Sequence, residues 1–441
     1  MNAGTLTFSS FENCHYQIGR TDAPEIKARG VIQTTLSEDQ DCVLLDVTLT
    51  GTRRHQRVMA SIPLMAGDID GLVHQLQVSL LIGGKVHSTW SSYDIDSDLL
   101  IPADAWQVEL GLPRGEFPPI VTEGERVEVR IGQDKVMTGR IDEIAHRVSR
   151  GGHTLSLSGR DGAAILVDCS APIFVSKQAS LQDIVANVVK PLGISRIRID
   201  AAAVATREKV NVEPGESAWD ALVHAAEANG LWPWFEPDGT LVVGGPDYAA
   251  PPVASLVMRR DGKGNNVESL QHVRSIADRY SDITVLGQAH GTSVEAGRNA
   301  LRASVRDPAL ANRGIYRPRV YIDHDADNTA IARSRARKLL SDARLRGGTL
   351  TATVRGHRTS GGVLWSPGQR VHVLSEPHEI DAVFFLMARK FTGGRGRGTT
   401  TALTLKEDGV WILDAHPHKR AKKRGRARTK SGEELEIIDV A

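Results

Sequence analysis

Two stretches of the chain carry the same alternation of apolar and polar residues. Gly124, Arg126, Val127 and Val129 are matched by Gly368, Arg370, Val371 and Val373, so Gly-x-Arg-Val-x-Val occurs twice. Val127, Val129 and Ile131 alternate with Glu128 and Arg130, and Val371 and Val373 alternate with Arg370 and His372. Such a period of two puts the apolar side chains on one face of a strand. Each copy continues into a second apolar strand, Val136 to Ile144 or Val383 to Phe391. A glycine-rich turn follows, Ser149-Arg150-Gly151-Gly152 or Gly393-Gly394-Arg395-Gly396, and then a third alternating strand at Thr154 to Leu157 or Thr401 to Leu405. Glycine at the tip reads as a hairpin because it takes positive φ at little cost. The pattern predicts a duplicated three-stranded β-meander over 124–161 and 368–408.

The rest of the chain is placed around these copies. Residues 1–66 form an N-terminal extension with a small β-element, its strands at Val31 to Leu36 and Val43 to Leu49. Strands at Leu76 to Ile82 and Trp106 to Leu110 complete a first β-barrel, 67–170. The period then changes. Ser180 followed by Asp183 is an N-terminal cap, and Leu181, Ile184, Val185, Val188 and Val189 share one helical face that Pro191 and Gly193 end. A second helix starts near Ser217, and a strand at Leu241 to Val243 closes a small α/β domain, 171–250. Gly, Pro and Ala mark 244–264 as a linker. The second β-barrel is assigned to 251–287 and 358–412, with a strand at Asp282 to Leu286; an inserted domain, 288–357, carries a basic helix at Ala330 to Leu345. The fold class is therefore α+β, mainly β: two similar β-barrel domains with inserted small α/β domains.

Charge changes this picture only locally. The net charge is +1 among 441 residues, so the whole chain is not drawn to polyanions. The helix, however, carries Arg333, Arg335, Arg337 and Lys338, and the tail, 413–441, holds Lys419, Arg420, Lys422, Lys423 and Arg424. These are the candidate contacts for a polyanion or an acidic partner, and the tail is expected to be disordered because it lacks apolar residues to bury. The three cysteines are scattered, which argues against a disulfide framework or a structural zinc site. No apolar run approaches the ~20 residues that span a bilayer, and the first dozen residues do not read as a signal peptide.

Chemistry is expected to be absent. There is no Gly-x-Ser-x-Gly, no phosphate-binding Gly-x-x-x-x-Gly-Lys and no His-Glu-x-x-His, so no enzymatic activity, cofactor or metal is expected. Asp323, Asp325 and Asp327 start like a calcium loop, but Asn328 and Ser334 stand where glycine and glutamate are needed. Trp219, Trp232 and Trp234 could form a glycan platform, although aromatics at helix and strand spacing are more often core.

An ordered set of short motifs then resembles a known family. Met137-Thr138-Gly139-Arg140-Ile141-Asp142, Ser158-Gly159-Arg160-Asp161, Leu166-Val167-Asp168-Cys169, Gly215 to Leu222, Asp278-Arg279-Tyr280-Ser281, Tyr316-Arg317-Pro318 and Leu364 to Gly368 follow the order of the baseplate hub proteins of Mu-like contractile-tail phages. The resemblance covers roughly 72–430 and leaves the first 64 residues outside the pattern. It implies a structural hub of a phage or prophage-derived tail, located in the virion baseplate and assembled in the bacterial cytoplasm. It further implies a homotrimeric ring that adapts a sixfold tail tube to a threefold central spike. The implied partners are other copies of the chain, the spike, the tube or its terminator, baseplate wedge proteins, and a tape measure protein or DNA through the basic tail. Two other classes are weighed: a tail-associated peptidoglycan-binding or cell-wall hydrolase protein, and a nucleic-acid-binding protein.

Overall fold

The computed structural model describes the strand courses at 5–7, 16–19, 26–36, 42–51 and 54–63, and then 78–82, 85–88, 90–112, 121–150, 152–172, 180–199, 212, 215–287, 301–323, 326, 329–394 and 398–413. The chain divides into two units, Met1–Leu76 and Gln77–Ala441. In the first, β1 (Thr5–Thr7), β2 (Tyr16–Gly19), β3 (Ile26–Leu36), β4 (Cys42–Gly51) and β5 (Arg54–Pro63) form an antiparallel sheet in sequence order. Both strands expected in this region fall inside β3 and β4.

The second unit opens with β6 (Val78–Ile82), β7 (Lys85–His87), β8 (Ser92–Asp98), β9 (Ala105–Leu112), β10 (Arg126–Ile131), β11 (Asp134–Ser149) and β12 (Gly152–Asp161). There follow α1 (Ala164–Asp168), α2 (Leu181–Ile184), β13 (Ile197–Ile199), α3 (Ala218–Ala228), β14 (Trp232–Phe235) and β15 (Leu241–Gly244). Next come β16 (Ser255–Met258), β17 (Ser269–Arg274), β18 (Asp282–Leu286), β19 (Arg302–Arg306), α4 (Pro308–Ala311), β20 (Pro318–Ile322) and α5 (Thr329–Gly347). The unit closes with β21 (Gly348–Arg355), β22 (Arg370–Ser375), β23 (Ile380–Gly394) and β24 (Gly398–Glu407).

Thirteen of these strands form one sheet, and its ladders repeat. β10, β11 and β12 pair as an antiparallel meander, and so do β22, β23 and β24. The likeness reaches single hydrogen bonds. Gly124 N–H donates to Ile141 O at 2.8 Å and Ile141 N–H to Glu125 O at 3.0 Å; Gly368 N–H donates to Leu386 O and Leu386 N–H to Gln369 O, both at 2.8 Å. Gly124 and Gly368 take φ of 80° and 91°, which explains why both copies open on glycine. One residue beyond the shared bond, each long strand bulges, at Asp142 in β11 and at Met387 in β23. An extra residue reverses the faces of the strand. Ile141 and then Ile144 therefore both reach the core, as do Leu386 and then Phe391.

The repeat is also larger than the three strands read from the sequence. β12 pairs with β9 and β9 with β8; β24 pairs with β21 and β21 with β17. The two five-strand sets share one core, in which Leu80, Ile95, Trp106 and Ile131 meet Trp365, Val371, Phe391 and Leu403. Two closed barrels were expected; the described strands form a single continuous sheet instead, because β8 of the first set pairs with β23 of the second.

Two small α/β domains sit on this frame. In the first, β13, β15 and β14 pack under α3, with Leu222, Ala225, Leu241 and Val243 buried. Ser180 and Asp183 exchange hydrogen bonds as a capping box, and Gly193 ends the run in the left-handed region at φ 88°. The second domain is β19, β18 and β20 covered by α5. It corrects two boundaries. Asp282 to Leu286 was assigned to the second barrel, yet β18 pairs with β19 and β20; β21 was assigned to the insertion, yet it lies in the main sheet between β17 and β24. Alternation establishes that a strand exists without naming the sheet it joins. The linker reading of 244–264 is corrected too, because β16 within it pairs in parallel with β22.

Candidate functional site

The motif residues that carried the resemblance turn out to be joints. Arg160 donates from Nε to Asp142 at 2.6 Å and from both terminal nitrogens to Asp168 at 3.1 and 2.8 Å, tying β11 and β12 to α1. The two carboxylates hold the guanidinium charged, and Arg160 in turn holds the Asp168 carboxyl below its ordinary range. Ser217 caps α3 by accepting from Asp220 N–H at 3.0 Å. Arg279 pairs with the buried Asp307 at 2.7 Å, and Arg317 donates to the Arg279 and Ala277 carbonyls, which fixes the entry to the second small domain. These side chains hold one element at a set angle to the next.

The central joint is the β8·β23 junction. Ala388 to Gly394 pair with Asp98 to Ser92. Gly393 and Gly394 have room for nothing larger: a Cβ on Gly393 would lie 2.3 Å from Tyr93 Oη, and one on Gly394 2.4 Å from Ser91 O. The sequence placed a hairpin turn at this glycine run, and β23 and β24 on either side of it do pair antiparallel; the close packing of Gly393 and Gly394 was not foreseen. Arg389 is buried, donates to Ile95 O at 3.1 Å and stacks over Phe391 at 4.0 Å; burial pulls its pKa down to about 10, against the attraction of Asp104 and Asp96. Beside it Tyr93 Oη and His357 Nε2 are 2.7 Å apart, and His357 Nδ1 is 3.0 Å from Thr401 Oγ1. Thr401 donates its own proton to Gly356 O at 2.6 Å, so it accepts from His357 Nδ1–H, and Nε2 accepts from Tyr93. That neutral tautomer fits the burial that pushes the His357 pKa down to about 4. Burial pushes Asp104 the other way, up to about 6.

The expected basic face of α5 is not an open one. Its buried stripe is Ala332, Ala336, Leu340 and Ala343 against β18 to β20. Lys338 is 5% exposed and pairs with Glu227 and Asp342, both at 3.0 Å, so its charge is spent on joining α5 to α3. Arg335 pairs with Asp323 at 3.4 Å, which accounts for one acid of the calcium-like run; Arg333 and Arg337 are half-buried. Lys419, Arg420, Lys422, Lys423 and Arg424 lie outside the described residues. Of the three tryptophans, Trp219 and Trp234 line one cleft beside Asp104 and Phe235, and Trp232 is not part of it. Trp219 is buried in the first small domain, whereas Trp232 donates to Leu99 O and meets Trp411 edge-on at 6.3 Å.

Among the main-sheet edges that pair on one side only are the outer edge of β17, whose other side pairs with β21, and the stretch Glu143 to Val148 of β11, which pairs with β12. Val273 and Val148, one on each, are 48% and 62% exposed. An unpaired strand edge is a ready-made template for pairing with another chain.

A doubled sheet of this topology with small α/β domains set into it is the architecture of phage tail proteins. The tail protein from Neisseria meningitidis MC58 is 44% identical, with a TM-score of 0.68 over 77% of this chain and 99% of that one. The 43 kDa tail protein of prophage MuSo2 from Shewanella oneidensis, 22% identical, has the same fold, with a TM-score of 0.67 over 76% of this chain and 99% of that one. Baseplate hub protein gp44 of Escherichia phage Mu is 24% identical over 322 residues, 71% of this chain and 82% of that protein. Four family models match in succession: Mu phage baseplate assembly protein GpP-like, N-terminal, at 77–161; baseplate hub protein gp44-like, second domain, at 163–245; tail protein NMB1110-like, third domain, at 279–340; and tail protein, C-terminal domain, at 342–410. The chain belongs to the family of Mu-like baseplate hub proteins.

Proposed function

We propose that three copies of this chain close into a ring at the centre of a tail baseplate, each five-strand set forming one barrel-like unit of the ring wall. Three chains then offer six similar units to a sixfold tube and three whole subunits to a threefold spike. The observation that carries this reading is the doubled meander, with matched glycines, matched hydrogen bonds and matched bulges at Asp142 and Met387. A cyclic trimer of a chain with two similar halves is the simplest way to join the two symmetries. The role is structural and the location the virion tail. The basic tail around Lys419 to Arg424 serves as an arm for an acidic partner. The test is mass by sedimentation together with averaged end-on images. A trimer with six similar lobes is expected; a chain that stays monomeric or dimeric at micromolar concentration with its spike present overturns the reading.

A further inference from the structure

We propose that the cleft between the β8–β9 turn and the first small α/β domain is a seat for a lysine ammonium, and that the basic tail of the same chain supplies it. This rests on the reading of the tail as an arm for an acidic partner, and it names the acid. Asp104, Asp161, Trp219, Trp234, Phe235 and Ile101 line the cleft. Asp161 is 8% exposed; its Oδ1 accepts from Ala163 N–H at 2.9 Å, and its other oxygen receives no donor among the described residues. Asp104 accepts from Asp98 N–H at 2.9 Å, and Asp98 at the rim from Leu100 N–H at 2.8 Å. Among the described residues neither Asp104 nor Asp161 has a cation within ion-pair distance, since Arg160 is taken by Asp142 and Asp168 and Arg389 donates to Ile95 O. Buried carboxylates are ordinarily paired. Burial therefore pushes both carboxyls up, and a cationic nitrogen placed against them would let both ionise. The rest of the lining is aromatic and apolar, which suits a compact charge on a long apolar stem. No group of three or more possible metal ligands is gathered among the described residues.

The tail is the source because it starts beside the cleft. Leu413, the last described residue, is buried with Trp411 in a cluster against which Leu99, Leu100 and Trp232 pack. Trp232 also donates to Leu99 O. Leu99 itself lines the cleft, and so do Ile101 and Pro233, the chain neighbours of Leu100 and Trp232. Lys419 stands six residues beyond Leu413, with Lys422 and Lys423 close behind it. Six extended residues reach about 20 Å, whereas Leu99 to Ile101 span about 10 Å at most, so the first lysines of the tail reach the carboxylates. Charge agrees with distance. Basic residues crowd the tail from Lys419 to Arg424, and the cleft presents Asp98, Asp104 and Asp161.

The test uses the full chain carrying Ile101→Cys at the lip of the cleft, where the side chain is 65% exposed, and His418→Cys beside Lys419. It is treated with a short thiol crosslinker and mapped by peptide mass. Each single variant and the pair Val148→Cys with His418→Cys serve as controls. A link within one chain is expected, formed faster than in the control pair. Asp161→Asn should slow it to the control rate, and so should Lys419→Gln with Lys422→Gln and Lys423→Gln, which stands in where the cleft variant does not fold. A rate that these changes leave unmoved overturns the seat, and so does a link between chains in place of one within. Retention of the full chain on a polyglutamate column reads the arm separately: retention without the link overturns the seat alone, and the absence of both overturns the arm as well. The mass that tests the ring is independent of either result.

Discussion

The far halves of β11 and β23 have the same backbone and opposite fates. Both leave a bulge and both run beside a third strand, but β23 buries alternate residues whereas β11 is exposed from Ala145 to Ser149. β23 meets β8 in its own chain and is lined with Arg389, Phe391 and Gly393, whereas the matching residues of β11 are Ile144, His146 and Val148. A contact made within one chain can carry a buried arginine and a three-residue hydrogen-bond relay, because the strands that surround them are always present. The far half of β11, exposed from Ala145 to Ser149, carries no such buried groups. What the duplication preserves is hydrogen-bond geometry; what it varies is side-chain commitment.

The comparison can be broken at matched positions. Phe391→Ala removes a fully buried ring and is expected to cost about 4 kcal/mol in urea unfolding. His146→Ala at the matched, exposed position should stay within about 0.5 kcal/mol when measured on the monomer. Gly393→Val places carbon against Tyr93 and is expected to cost about 3 kcal/mol, while the reverse change, Val148→Gly, costs about 1 kcal/mol or less by loosening the chain. Equal losses at the matched positions would erase the distinction.

Titration sharpens it. The folded pKa of His357 lies below its ordinary value of 6.5, near 4, so its neutral form stabilises the junction above pH 6.5 and that stability is lost as the pH falls. Between pH 7 and pH 5 the loss comes to about 2 kcal/mol. Asp104 and Asp161, both raised by burial, act oppositely, favouring the fold at lower pH. Urea midpoints compared for the native chain and His357→Gln should therefore converge as the pH falls, and parallel curves would remove His357 from the account. The smallest effect is expected at Lys390, whose pair with Asp94 at 3.2 Å is half in water: Lys390→Ala should change stability by less than about 0.5 kcal/mol, leaving the outer side of β23 as neutral as Ala145 leaves that of β11.

Three strands of each five were legible as a repeat because Gly-x-Arg-Val-x-Val survives in both copies. β9 was legible as a strand at Trp106 to Leu110, but the match of β9 to β21 and of β8 to β17 was not. Trp106 matches Leu350 and Ile95 matches His272, pairs with the same place in the ladder and no chemistry in common. β16 hid among glycine, proline and alanine, and its parallel pairing with β22 has no local signal at all. Lys338 read as surface charge because its partner Glu227 lies on a helix more than a hundred residues earlier. The motif residues were legible as a set, but their work as joints required seeing Asp142, Arg160 and Asp168 in one place.

The seven residue pairs that bind β8 to β23 lie side by side along the strands. A pull along those strands loads all their backbone hydrogen bonds in shear, so they resist together, whereas a pull across the sheet would open them one after another like a zip. The junction is thus stiff in one direction and weak in another, and the chain's mechanical strength depends on which way force enters it.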